Sequence, residues 1–244
     1  MAKTILERPL RVGKPQQHGP AAVIQRRAAD RLRAGHLWVY RSDVEELVPP
    51  LSIPPQNGEL QPGSLVTVVD SRGIPLGSAL YSASSQIALR MVSPEPAITR
   101  EQYLDQVRER LLAALALRDN LSPESPESNA CRLVFSEADG LPGIVADKYN
   151  DLVILQLLTQ GTAQDDLRQL VTQTLTGRLK LATVVERPDP RVRELEQLAA
   201  PSPEPLFAHD AKQLAAVFTI NGLRFHFDAT AGQARWSPIL RCGP

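Results

Sequence analysis

The chain is short of cysteine, of aromatic residues and of net charge. Two of its 244 residues are cysteine, Cys131 and Cys242, and 5% are Phe, Trp or Tyr. Two cysteines alone make neither a disulfide framework nor a zinc site, so an oxidising compartment is not implied and a cytoplasmic location is expected. The 27 Lys+Arg equal the 27 Asp+Glu. A neutral chain is no global polycation, so any nucleic-acid contact must come from local charge. No apolar run approaches the roughly 18 residues of a membrane helix, and the opening MAKTILERPL has no apolar signal core. His18, His36, His209 and His226 lack metal-ligand spacing. No glycine-rich nucleotide turn, phosphate loop or serine elbow occurs. The composition, 43% hydrophobic and 22% charged, is that of a globular chain of one or two domains.

The charge that is present is uneven. Residues 8–41 hold Arg8, Arg11, Lys14, Arg26, Arg27, Arg31, Arg33 and Arg41 against one acid, Asp30. Such a stripe either contacts phosphates or forms a solvated helix face. Residues 1–19 read as a loose arm. Val23, Ile24, Ala28 and Leu32 then suggest an amphipathic helix over 22–34 ending at Gly35, followed by an aromatic strand, Leu37-Trp38-Val39-Tyr40. A proline-rich loop spans 49–55. Residues 65–70, 74–81 (broken by Gly77) and 87–92 read as short strands of a small barrel. Thr99-Arg100-Glu101-Gln102 is a capping box opening a helix over 99–120, with Tyr103, Val107, Leu111, Leu112 and Leu115 as its apolar stripe. Residues 122–129 are a polar linker.

The remainder mixes strands and helices. Strands are expected over 131–135, 144–147, 152–158 and 183–186, with helices over 164–175 and 190–198, the latter with Pro190 in its first turn. Asp139-Gly140-Leu141-Pro142-Gly143 is dense turn chemistry. Asn221-Gly222 between two alternating strands predicts a hairpin with a type I′ turn.

Five segments together carry a resemblance: Ala28 to Asp43, Tyr81 to Arg90, Arg132 to Gly143, Val185-Glu186-Arg187-Pro188-Asp189, and Asn221 to Gln233. In this order they resemble the class I S-adenosylmethionine-dependent ribosomal RNA cytosine-5 methyltransferases with an N-terminal PUA-type domain. The resemblance implies an α+β fold class. A PUA-like RNA-binding barrel over 20–95 is followed by a helix and linker over 96–129 and a mixed α/β domain of hairpins and helices over 130–233. It also implies a C-terminal Rossmann-like catalytic domain. After Gln233 the family pattern ceases, so the expectation is that no Rossmann domain is present, that 234–244 is an aberrant tail, and that a frameshift or truncation follows Gln233.

The resemblance implies rRNA as partner and S-adenosylmethionine as the family's cofactor. No cofactor site is assigned to this chain because the glycine fingerprint is absent, and no catalytic residue because cytosine C5 methylation needs an activated cysteine, whereas the resemblance implies an ordinary core residue at Cys131 and Cys242 lies in the tail without an activating neighbour in sequence. The RNA-binding candidates are Arg26, Arg27, Arg31, Arg33, His36 and Arg41. Trp38 is expected to favour the core over a base-stacking role, and Arg90 to pair with an acid such as Asp70. Glu137 and Asp139 read as turn-forming, and Glu186 as a structural ion-pair partner. A stand-alone RNA-binding module, or a subunit pairing with a separate methyltransferase domain, is the alternative reading.

Overall fold

The computed structural model describes residues 11–12, 19–49, 60–121, 125–210, 214–230 and 237–238. The expected arm (1–19), proline-rich loop (49–55) and tail (234–244) therefore fall largely outside the described residues. Two compact units divide the chain, 1–103 and 104–244.

The first unit is built on β1 (Arg11–Val12), β2 (Ala21–Ile24), β3 (Trp38–Tyr40), β4 (Val44–Val48), β5 (Leu65–Asp70), β6 (Pro75–Tyr81) and β7 (Ile87–Ser93), with helix α1 (Arg26–Arg33) after β2. Its mixed sheet has the order β1-β4-β2-β5-β6-β7-β3. β2 pairs in parallel with β5, and β5-β6-β7-β3 is an antiparallel meander. The connectivity forces curvature. β3 and β4 lie five strand positions apart, about 24 Å in a flat sheet, yet the three-residue 3-10 turn Arg41–Asp43 joins them. That link reaches about 14 Å at most, so the sheet must curl. Ile24, Val39, Val68 and Leu89 fill the inside with no exposure, each stabilising by about 1.5–3 kcal/mol.

Two local expectations change here. Residues 21–24 form a strand, and the helix begins only at Arg26. The β-branched Val23 and Ile24 occupy a slot between β4 and β5, where the ladder satisfies their backbone on both sides. At the other end of α1 the glycine signal holds. Gly35, at φ 93°, donates to the Leu32 carbonyl and His36 to that of Arg31, closing the helix as a Schellman motif.

Helix α2 (Arg100–Leu121) starts on the expected capping box. Thr99 N–H donates to Gln102 Oε1 at 2.8 Å, and Gln102 N–H to Thr99 Oγ1 at 3.1 Å. Tyr103, Val107, Leu111 and Leu115 are buried as the stripe requires, whereas Leu112 is exposed.

The second unit contains β8 (Ala130–Phe135), β9 (Ile144–Tyr149), β10 (Leu152–Leu157), α3 (Asp165–Arg178), β11 (Thr183–Glu186), α4 (Pro190–Leu195), β12 (Phe207–Ala208), β13 (Ala215–Ile220), β14 (Leu223–Asp228) and β15 (Ser237–Pro238). A five-stranded sheet runs β12-β11-β10-β9-β8, and a three-stranded sheet runs β13-β14-β15. Phe218 and Phe227 of the smaller sheet pack with Leu152, Ile154 and Val185 of the larger. Phe227 stacks on Tyr149 with ring centroids 4.4 Å apart. The β13–β14 turn has Asn221 at φ 51° and Gly222 at φ 76°, the two left-handed residues a type I′ turn requires.

The expected α+β class with no Rossmann domain is corrected here. β10 and β11 are parallel and are joined through α3, the βαβ crossover from which doubly wound sheets are built. The first unit's sheet is mixed as well. The sequence obscured the crossover because β10 is buried along nearly its whole length, and such a run carries no alternation to show how it pairs.

Candidate nucleic-acid interface

The arginines singled out in the sequence are held by buried carboxylates. Asp43, in the turn before β4, is 2% exposed. It accepts from Arg31 Nη2 at 2.5 Å and from Arg27 Nε at 2.8 Å. Asp70, the last residue of β5, is 3% exposed and accepts from Arg33 Nη2 at 2.7 Å and from Arg72 at 3.2 Å. Burial pushes the Asp70 carboxyl up. The backbone N–H of Ile74, the Arg33 guanidinium and the backbone and side chain of Arg72 outweigh it and hold the group well below the usual carboxylate range. The same bond raises Arg33 above its ordinary value. The anticipated Arg90–Asp70 pair does not form. Arg33 and Arg72 occupy that carboxylate, and Arg90 donates to the Ile87 carbonyl at 3.4 Å.

The remaining candidates are placed differently. Arg26 is exposed and lies 3.8 Å from Asp30. His36 is exposed just beyond the helix. Arg41 donates to the carbonyls of Ser82, Ala83 and Ser85 and so braces the β6–β7 loop. Arg26, Arg27, Arg31 and Arg33 thus share one helix, and two inward carboxylates fix three of them. A fixed guanidinium loses little side-chain entropy on meeting a phosphate.

The expected placement of Trp38 in the core is corrected by the structure. Trp38 is 40% exposed and Tyr40 is 44% exposed, while Val39 between them is fully buried. The signal was strand alternation: Val39 filling the core places both rings on the opposite face.

In the second unit, the end of the parallel strands carries a buried charged cluster. Glu186, 1% exposed, closes β11. Its Oε2 accepts from Arg168 Nε of α3 at 2.6 Å, and its Oε1 lies 3.6 Å from Arg193 Nη1 of α4. Burial pushes Arg193 down, against the attraction of Glu186. Asp189 caps α4 by accepting from Arg191 N–H at 2.8 Å. Glu186 is therefore the structural ion-pair partner expected. Asp139 is equally committed. It takes a two-pronged pair from Arg118 at 2.6 and 2.7 Å and also accepts from Phe135 N–H. Glu137 accepts from Ser136 Oγ at 2.5 Å. These carboxylates build the 136–143 turn and are not free to act as an acid–base pair. Among the described residues, no group of three or more His, Cys, Asp or Glu is arranged to hold a metal. No helix among them is long and apolar enough to cross a membrane.

The curled sheet with its arginine-bearing helix defines a PUA-like unit: residues 23–94 match the family model for a PUA-like domain. The wider chain is similar to ribosomal RNA large subunit methyltransferases I. It is 34% identical to that of Alteromonas mediterranea over 73% of this chain and 42% of the relative. To that of Erwinia tasmaniensis it is 30% identical, over 85% of this chain and 53% of the relative. The chain thus spans about half the length of these relatives. Two solved structures share the fold at 16% identity. One is SMU.776, provisionally assigned as a methyltransferase and complexed with SAH (TM-score 0.61, 88% of this chain and 47% of that chain). The other is a provisionally assigned SAM-dependent methyltransferase from Streptococcus mutans (TM-score 0.62, 88% and 48%). The fold shared with these structures over 88% of the chain is the finding that overturns the expected absence of any Rossmann element.

Proposed function

We propose that this chain recognises large-subunit ribosomal RNA in the service of S-adenosylmethionine-dependent methylation, with cytosine C5 as the carbon modified. The observation carrying this reading is the set of α1 arginines clamped on Asp43 and Asp70 within a PUA-like unit. Arg26, Arg27, Arg31 and Arg33 meet phosphates, with His36 and Arg41 as the further basic contacts. These positions hold the RNA by its backbone and shape, which gives modest affinity with strong salt dependence.

The methyl donor, when bound, supplies the methyl group, and a doubly wound sheet receives such a ligand at the carboxyl ends of its parallel strands. In this chain those ends of β10 and β11 are filled by the Glu186–Arg168–Arg193 cluster, and Thr159 and Thr162 are buried and bonded to each other at 2.9 Å. These residues do not fit the adenosyl donor, and no methyl-transfer step is assigned to them. The filled strand ends favour a second reading, in which this chain supplies recognition to a separately held methyltransferase domain.

Filter binding of the full chain to large-subunit rRNA fragments over a salt series tests the proposal. The expected result is a linear fall of log affinity with log salt; no binding, or a flat response, refutes it. Tritiated donor added to the same mixtures separates the two readings. Labelling of a transcript by this chain alone would exclude the second.

A further inference from the structure

We propose that the outward face of β3 is a stacking platform for unpaired bases of an RNA strand, with Trp38 and Tyr40 as the stacking rings and Arg90 as the flanking cation. The inference rests on the RNA-binding reading and deepens it from phosphate contact to base contact.

Three observations carry it. First, the two rings share one face. Val39 points fully into the core, so Trp38 and Tyr40 both point out, 40% and 44% exposed. One strand period separates them, about 6.7 Å, wide enough for a planar base against either ring. Second, β3 ends the strand order of the sheet, and the six residues Arg33 to Trp38 leading into it are all exposed. A chain can thus approach the rings without displacing structure. Third, the charge suits a polyanion. Residues 31–42 contain no Asp or Glu, and neither do residues 71–94, which include β7, the strand paired with β3, and β6 beyond it. Trp38 sits directly across the ladder from Arg90, which places both side chains on one face. Large aromatic surface, a neighbouring cation and two flanking segments without Asp or Glu match a base attached to a phosphate, because every base has a π-face and stacking tolerates sequence. An apolar protein partner would not call for flanking segments without acids.

The test uses the full chain with Trp236→Phe, which leaves Trp38 as its sole tryptophan. Titration with a single-stranded large-subunit rRNA fragment should quench Trp38 fluorescence, and a fully paired duplex of the same sequence should quench it far less. In filter binding, Trp38→Ala should weaken single-strand affinity roughly five- to hundredfold while leaving the salt slope unchanged, since no phosphate contact is lost. Trp38→Phe, which keeps a ring, should recover most of the affinity, and matching thermal melts would show the fold intact. Salt-dependent RNA binding with Trp38 fluorescence unmoved, or with Trp38→Ala binding like the parent, overturns the platform and leaves the RNA-binding reading standing. Absence of any RNA binding by the parent overturns both.

Discussion

Arg118 ties the second unit's long helix to its densest turn, and replacing it tests whether the 136–143 motif is structural. Its guanidinium donates to both oxygens of Asp139 at 2.6 and 2.7 Å, and its Nε reaches the Arg132 carbonyl at 3.2 Å. Asp139 is nearly buried, and after Arg118→Ala its remaining donor is the Phe135 N–H. Breaking a buried pair by removing one partner costs about 3–5 kcal/mol. The Arg118 side chain keeps some contact with water, 18% exposed, and one donor to Asp139 survives, so about 2–3 kcal/mol is expected here. For a unit of this size that corresponds to about 6–9 °C in Tm. Circular dichroism melts of Arg118→Ala, Asp139→Asn and the double variant would measure it. The double variant should lose less than the sum of the single losses, because either change alone already breaks the pair. A Tm shift under about 2 °C, or strictly additive losses, would refute the structural assignment and return Asp139 to candidacy as a functional carboxylate.

Other outcomes follow from the same contacts. Arg26→Ala should reduce the magnitude of the salt slope of RNA binding by about one phosphate contact with no change in Tm, whereas Arg33→Ala should lower Tm as well, because it strips a partner from buried Asp70; paired melts and salt titrations would separate the two. Asp70 is held below its ordinary pKa by its donors, so its stabilisation is present above about pH 4 and is lost as pH falls through the folded value. Acid melts of Asp70→Asn should accordingly show a flatter acid limb than the parent. Gly143 sits at φ 79°, and an added Cβ would lie 2.7 Å from the Thr159 methyl. Gly143→Ala should therefore cost about 1–3 kcal/mol in urea unfolding, and a neutral result would mean that the 159–162 turn yields easily.

Legibility in the sequence followed the range of the interaction. Thr99 with Gln102, Asn221 with Gly222, Pro190 behind Asp189 and Gly35 after α1 were all readable, because each is satisfied within a few residues of itself. The strand patterns over 65–70, 74–81 and 87–92 were readable because these strands pair with their neighbours in sequence. The site was legible only in part. The arginine stripe could be seen, but its division between structural anchors and outward cations could not, because Asp43 lies 12 and 16 residues from Arg31 and Arg27, and Asp70 lies 37 from Arg33. The orientation of Trp38 turned on whether Val39 or its neighbours filled the core, a choice made by the curl of a sheet in which three residues join β3 to β4.

The sequence by itself determined the caps, the turns and most element types, since backbone preference and neighbouring hydrogen bonds act within one turn or one hairpin. Tertiary structure alone decided that 21–24 is a strand, that β10 and β11 run parallel, and which cations are anchored. Those outcomes depend on partners distant in the chain, and only the closed ladder and packed core bring them within hydrogen-bonding reach.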